Sequence, residues 1–366
     1  MISSILVFIL VLSVLVIVHE FGHYWVAKKN GVWVEEFGFG LPPKIFGKRI
    51  GETIFSLNLF PFGGFVRLHG EMEEEGITNP NRAFLNKKKR VRALIVIAGV
   101  VMNFILAVVC FAIVYSFSGI PRDSHKVKVL DVTAGTPAQI SGLISGDIIK
   151  SVDGKVMTKA DEFISYVDTK KGKKVTFEVE RDSNNIKLTA TPRENPPQGE
   201  GPLGVIITNT EIYYPPVIQR PFYGIYYGFK DAVFWGKTVI VGFATMFGGL
   251  FRGQAPQDFA GPVGIFAITS QAAKVGALSV INFIGILSVN LAILNILPIP
   301  ALDGGRLLFI AIEGVIGKKI IPKVESIIHS VGFILLILLL IAITAHDIRQ
   351  VITAGGISNF LNGFLK

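Results

Sequence analysis

The chain has 366 residues, of which 50% are hydrophobic and 17% charged, with a mean hydropathy of +0.54 and a net charge of +9. This composition excludes an ordinary soluble globular protein. It also makes nucleic acid the weaker explanation of the basic excess, because Lys87, Lys88, Lys89, Arg90 and Arg92 precede an apolar run directly, as in membrane proteins that fix their orientation with charge.

In chain order, residues 5–18 carry no charge and lead straight into His19-Glu20-Phe21-Gly22-His23. A basic leader and a small-residue cleavage site are missing, so the start predicts an uncleaved first transmembrane helix over residues 2–26. On a helix, His19 and His23 stand at i and i+4, so their imidazoles share one face and can bind one zinc ion. Glu20 lies about 100° round the helix from His19, placed to act on an attacking water without being a ligand. Ionisable side chains are costly in a membrane helix and mark a functional site there.

Residues 28–75 are too rich in Gly, Phe and Pro for a helix. Residues 32–39, 53–59 and the run Gly63-Gly64-Phe65-Val66-Arg67-Leu68 predict short strands joined by turns. They fit either a sheet dipping towards the bilayer or a small cytoplasmic hairpin domain. A second span is expected over residues 93–118, which hold no charge. Cys110 lies within it, cannot form an internal disulfide, and is expected to pack as a small hydrophobe.

Residues 124–192 alternate short β-like runs with turns and one helical stretch at 159–167. The segment from Gly135-Thr136-Pro137-Ala138 through Gly142-Leu143 and Gly146-Asp147 to Val152-Asp153-Gly154 resembles the bacterial PDZ domain signature. The resemblance implies a domain that binds peptides by strand addition or only shields the membrane site. A proline-rich linker, residues 192–202, is expected to close it. Residues 193–274 are read as linker and interfacial helices, with 232–251 as an amphipathic helix interrupted by Lys237 and glycines. Residues 275–302 and 327–345 give the third and fourth spans, so residues 1–123 and 275–366 form two membrane halves.

Residues 28–92 carry twelve basic residues, and the connection 303–326 adds Arg306, Lys318, Lys319 and Lys323. Both are assigned to the cytoplasm, which leaves the N-terminus and the domain at 124–192 outside.

Catalytic zinc sites commonly have three protein ligands and one open position. Later candidates are His69, His125, His329, His346 and Asp303. Asp303 follows the third span in Asn295-Ile296-Leu297-Pro298-Ile299-Pro300-Ala301-Leu302-Asp303-Gly304-Gly305-Arg306, where prolines and glycines imply broken backbone, tolerated at membrane depth only when buried or lining a cavity. A helix N-cap is the other reading of Asp303.

These paired motifs, His-Glu-x-x-His on a first apolar helix and Asn-x-x-Pro-x-Pro-x-Leu-Asp-Gly-Gly on a late one, resemble the site-2 protease family of intramembrane zinc metalloproteases (peptidase M50). The intervening PDZ signature makes the regulator-of-sigma-E protease type the nearest resemblance. The resemblance implies a polytopic α-helical membrane protein with about four transmembrane helices, a membrane-associated β-hairpin and one extracytoplasmic PDZ domain. It implies one zinc held by His19, His23 and Asp303, with Glu20 as general base. Gly99-Val100-Val101-Met102-Asn103 matches the family's Gly-x-x-x-Asn element, with Val100 where proline is common. Asn103, Asn295 and Pro300 would contact substrate, and Gly63, Gly64 and Phe65 would belong to the reentrant hairpin. Expected partners are transmembrane substrates such as anti-sigma factors or signal-peptide remnants, together with the lipid bilayer, and no nucleic acid. The expected location is the bacterial cytoplasmic membrane, with the active site towards the cytoplasmic side. A catalytically inactive PDZ-containing membrane scaffold is the alternative.

Overall fold

In the computed structural model, which describes residues 2–71, 77–197, 199–250, 252, 261–318 and 321–356, the chain forms two compact units. One comprises Met1–Phe117 with Ile218–Lys366, the other Ser118–Val217.

The first unit opens with helix α1 (Ile2–Lys29), which ends on Lys28 and Lys29. Strands β1 (Val34–Ile50) and β2 (Thr53–Leu68) follow. The three expected short strands are thus two long ones. β1 bends back so that its first half lies between both halves of β2: Gly38 faces Phe65 on one side and Ser56 on the other, and Ile50 faces Thr53 at the turn. The outer part exposes Ile45, Phe46, Leu57 and Phe60, an apolar surface consistent with a membrane-facing hairpin. Two short 3-10 turns, Pro80–Arg82 and Phe84–Asn86, lead into helix α2 (Lys89–Ser118). Ala27, Val32, Phe84, Ile95 and Ile310 form the buried cluster that ties the end of α1 to the start of α2.

The second unit contains β3 (Ile120–Val132), α3 (Pro137–Ile140), β4 (Ile148–Val152), β5 (Lys155–Val156), α4 (Ala160–Asp168), β6 (Val175–Arg181), β7 (Asn184–Ala190) and β8 (Val205–Tyr213). The strand order is β7-β6-β4-β3-β8, with β5 beside β4. Val127, Ile149, Phe163, Phe177 and Leu203 fill its core. The expected end at residue 192 is corrected, because β8 pairs along β3 from Ile120 opposite Tyr213 to Val132 opposite Val205. The proline-rich run is therefore a loop inside the domain, held by the Arg193 N–H donating to the Pro202 carbonyl at 2.9 Å.

The first unit resumes with α5 (Arg220–Leu250), α6 (Pro262–Val275), α7 (Ala277–Ile296), α8 (Asp303–Ile316) and α9 (Pro322–Thr353). Four helices among the described residues are long and apolar enough to cross a membrane: 3–29, 89–118, 277–296 and 323–353. The expected third span ends early, since Leu297 leaves the helical conformation and the proline-rich turn follows. The segment expected as an interfacial helix from residue 232 onward falls within α5. The helix begins at Arg220 and runs antiparallel to α2. A Cβ on Gly224 would lie 2.6 Å from the Ala112 carbonyl oxygen, and one on Gly228 2.7 Å from that of Val108. Ala232 is fully buried against α2 and α7. This Gly-x-x-x-Gly-x-x-x-Ala face lets backbones approach in the way small-residue faces join membrane helices. Residue 251, the expected end, lies outside the described residues.

Candidate metal centre

His19 and His23 project from one face of α1, and their Nε2 atoms are 3.2 Å apart. Asp303 opens α8, whose N-cap position is Leu302 and whose start has no side-chain cap, so the N-cap reading of Asp303 fails. Its Oδ2 instead lies 3.0 Å from His19 Nε2 and 3.2 Å from His23 Nε2. A tetrahedral zinc with bonds of about 2.0–2.1 Å keeps its ligand atoms about 3.3 Å apart, close to this triangle.

The surrounding hydrogen bonds agree with a cation. His23 donates Nδ1–H to the Ile95 carbonyl at 2.8 Å, which leaves the Nε2 lone pair facing Asp303. Asn103 is fully buried, with its amide nitrogen 3.2 Å from His19 Nδ1 and its Oδ1 lacking a partner. Carboxamide oxygen and nitrogen exchange by a half-turn, so Asn103 can equally accept Nδ1–H from His19 and free that ring's Nε2. In that tautomer three lone-pair atoms meet at 3.0–3.2 Å, an arrangement that a cation at its centre would satisfy. Among the described residues this is the grouping of His, Cys, Asp and Glu that converges in this way.

Gly99 of α2 provides the room. A Cβ there would lie 2.4 Å from His23 Nε2 and 2.7 Å from His19 Cε1. Gly22 does the same for the helix pair, since its Cβ would meet the Ala98 carbonyl oxygen at 2.4 Å.

A cavity of about 920 Å³ opens beside the centre, and Glu20, the three converging residues and the edge of β2 from Gly64 to Leu68 line it. Gly64 brings the strand close to α1, where a Cβ would sit 2.8 Å from Val16 and 3.3 Å from Glu20 Cγ. Phe65 lines the cavity too, while Gly63 at φ 105° supplies the bend before it.

The residues expected to contact substrate lie at different places around the centre. Asn103 lies behind His19, on the ring nitrogen turned away from Asp303. Asn295 is buried with its amide nitrogen 3.4 Å from His19 Nε2. Both belong to the surroundings of the imidazole and are absent from the cavity wall. Pro300 packs on α9, where a Cβ at Gly332 would approach its Cβ to 2.4 Å. Of the other histidines, His69 is buried and bonds Glu35 at 2.8 Å, while His125 and His346 are exposed. His329 of α9 does line the cavity. So do Arg306 and Glu71, which form an ion pair. The sequence signal for Arg306 was its place one helical turn after Asp303, whereas Glu71 had none.

The second unit carries a separate groove of about 320 Å³ between α4 and β8, walled by Phe163, Ile164, Val167, Leu203 and Ile206. β8 is the edge of its sheet.

The chain is similar to CPE1693 of Clostridium perfringens, named as a candidate zinc metalloprotease, at 36% identity over 93% of this chain and 97% of that one. It is similar to the zinc metalloprotease RasP of Geobacillus kaustophilus at 30% identity over 95% of this chain and 98% of that one. The solved PDZ domain of the SdrC-like protein Lmo2051 from Listeria monocytogenes aligns at 26% identity over 24% of this chain and 88% of that one, with a TM-score of 0.21. The profile of peptidase family M50 matches residues 7–339. A converging His-His-Asp centre, a glutamate beside it and this match over nearly the whole chain lead to one conclusion: the chain belongs to peptidase family M50, the zinc metalloproteases of its relatives.

Proposed function

We propose that the protein is an intramembrane endopeptidase that cuts within transmembrane segments of single-span proteins already trimmed outside the membrane. In this reading His19, His23 and Asp303 hold one zinc ion per chain and Glu20 is the general base. The observation that carries it is the 3.0–3.2 Å triangle of Nε2, Nε2 and Oδ2 at the floor of a cavity that a strand edge borders.

Bound zinc would supply Lewis acidity to the attacking water and the scissile carbonyl. The chain's own residues do the rest. Glu20 takes a proton from the attacking water and passes it to the leaving amide nitrogen. The edge of β2 from Gly64 to Leu68 offers backbone groups to a substrate stretch that has left its helix, so that pairing replaces intrahelical hydrogen bonds. Asn103 and the Ile95 carbonyl hold the two imidazoles in the ligating tautomer.

The orientation places Lys28, Lys29 and the basic run 87–92 in the cytoplasm, with the N-terminus and the PDZ domain outside and the metal centre nearer the cytoplasmic face of a bacterial cell membrane. The groove between α4 and β8 suits an extended peptide added to the β8 edge, a docking place for a newly trimmed chain end. The substrates are single-span membrane proteins of the anti-sigma-factor or signal-remnant kind.

Metal analysis and cleavage of a single-span substrate in the same preparation test the proposal. Near-stoichiometric zinc is expected, lost in His23→Phe. Glu20→Gln should keep the metal and lose at least a hundredfold in cleavage, since an amide cannot accept the proton. Full zinc in His23→Phe or full cleavage by Glu20→Gln would refute the respective assignment.

A further inference from the structure

The turn that delivers Asp303 is built against its own backbone preference. Ala301, two residues before Asp303, has φ 78°, a left-handed conformation that an alanine adopts at a cost. Among the described residues of the first unit it is the one non-glycine residue with positive φ. Such a conformation persists only where its surroundings impose it.

The imposing contacts come from α9. The Ala301 N–H donates to His329 Nδ1 at 3.0 Å. One turn later on the same face, Gly332 lets Pro300 press onto the helix, since a Cβ there would come within 2.9 Å of the Pro300 carbonyl carbon. From below, α8 closes on the same turn: Cβ atoms on Gly304 and Gly305 would lie 1.9 Å from the Leu297 carbonyl oxygen and 2.6 Å from that of Ile299. Because His329 accepts at Nδ1, its proton sits on Nε2, which is buried without a partner. The hydrogen bond that the ring makes within the protein is therefore the one to the Asp303 turn.

We infer that His329 is a positioning residue for the metal centre, one that holds Ala301 in its left-handed conformation through Nδ1 and thereby sets the Asp303 carboxylate against His19 and His23. This rests on the reading of those three residues as zinc ligands. The role needs an acceptor where Nδ1 stands, and the side-chain oxygen of asparagine, counted along the chain from Cβ, stands there, whereas that of glutamine matches Nε2 instead. A residue merely filling space would show no such preference.

The test is zinc affinity, measured on the full chain in detergent by competition with a chromophoric chelator, zinc being the only probe. His329→Leu and His329→Gln should each weaken zinc by about tenfold or more, the scale on which outer partners of metal ligands act. His329→Asn should stay within about threefold of the parent, a tolerance set by the usual scatter of such interactions. Ala301→Gly added to His329→Leu should recover most of the loss, because glycine holds φ 78° without strain. Equal affinity in all His329 variants would overturn the inference, as would a failure of Ala301→Gly to restore binding. An unmodified chain that binds no zinc at its His-His-Asp centre would refute the ligand assignment itself, which separates the two failures.

Discussion

At the scale of single residues, the metal centre depends as much on what is missing as on what is present. Gly99 has no side chain where two imidazoles stand, and a methyl group there would overlap His23 Nε2 at 2.4 Å. Gly99→Ala is therefore expected to weaken zinc by more than tenfold, read as the zinc-to-protein ratio after dialysis against a mild chelator. Gly314→Ala, where nothing lies within 4 Å, should leave the ratio as it was. A similar economy of position explains the Gly-Asp pair of the PDZ signature. Asp147 is fully buried; it accepts the Ile144 N–H at 3.0 Å and pairs with Arg181 at 2.8 Å. Burial alone would raise its pKa, but the Arg181 guanidinium and that N–H outweigh it and hold the carboxyl below its ordinary value. The pair's contribution is then present above the usual carboxylate range and disappears only as pH falls through the lowered pKa. Arg181→Leu leaves a buried carboxylate without its partner, at a cost of about 3 kcal/mol or more near neutral pH. Hydrogen exchange should show β4 and β6 losing protection in that variant at pH 7. Protection equal to the parent's would contradict the role given to Arg181.

At the scale of elements, what was legible in the sequence was whatever is periodic or chemically rare. Four long uncharged runs announced four helices, and the i, i+4 histidines announced the face of α1 that meets Asp303. The Pro-Gly-rich run before and after Asp303 announced a broken chain at that carboxylate. What stayed hidden depends on long-range pairing. Nothing local shows that β1 bends back between the halves of β2, or that β8 travels past a proline-rich loop to complete the PDZ sheet beside β3. Asn103 was visible as the end of a Gly-x-x-x-Asn element on the second span, but its position behind His19 is a property of how α2 crosses α1. The path of α5 was encoded in Gly224, Gly228 and Ala232, a spacing masked by the Lys237 that follows. That face yields its own expectation. Gly228→Leu should force α5 off α2, because a Cβ there already sits 2.7 Å from the Val108 carbonyl oxygen, and overpacking of this kind costs about 1–3 kcal/mol. Gly242→Leu on the same helix meets nothing within 4 Å and should be neutral. Thermal unfolding of both variants in detergent compares them directly, and equal midpoints would show that the close approach contributes nothing.

At the scale of the whole molecule, charge and helix direction make one joint claim. The basic end of α1 and the basic start of α2 meet in a single buried cluster around Ala27, Phe84 and Ile95, so Lys28, Lys29 and the basic run 87–92 lie at one end of the helix pair. The chain leaves α2 at its other terminus, Ser118, and continues into β3 of the second unit. In the proposed orientation, positive charge retained in the cytoplasm would put the domain on the outer side. Cysteine accessibility tests this in intact cells once Cys110, the single native thiol, is replaced by alanine or serine. Ser183 is exposed at the turn between β6 and β7, and Asn86 is exposed beside the basic run. A cysteine at 183 should react with a membrane-impermeant maleimide added outside, and a cysteine at 86 should react only after permeabilisation. Reaction at 86 with protection at 183 would invert the orientation. The metal centre would then face the outside, and the proposed order of events, trimming outside before cleavage within the membrane, would lose its geometric basis.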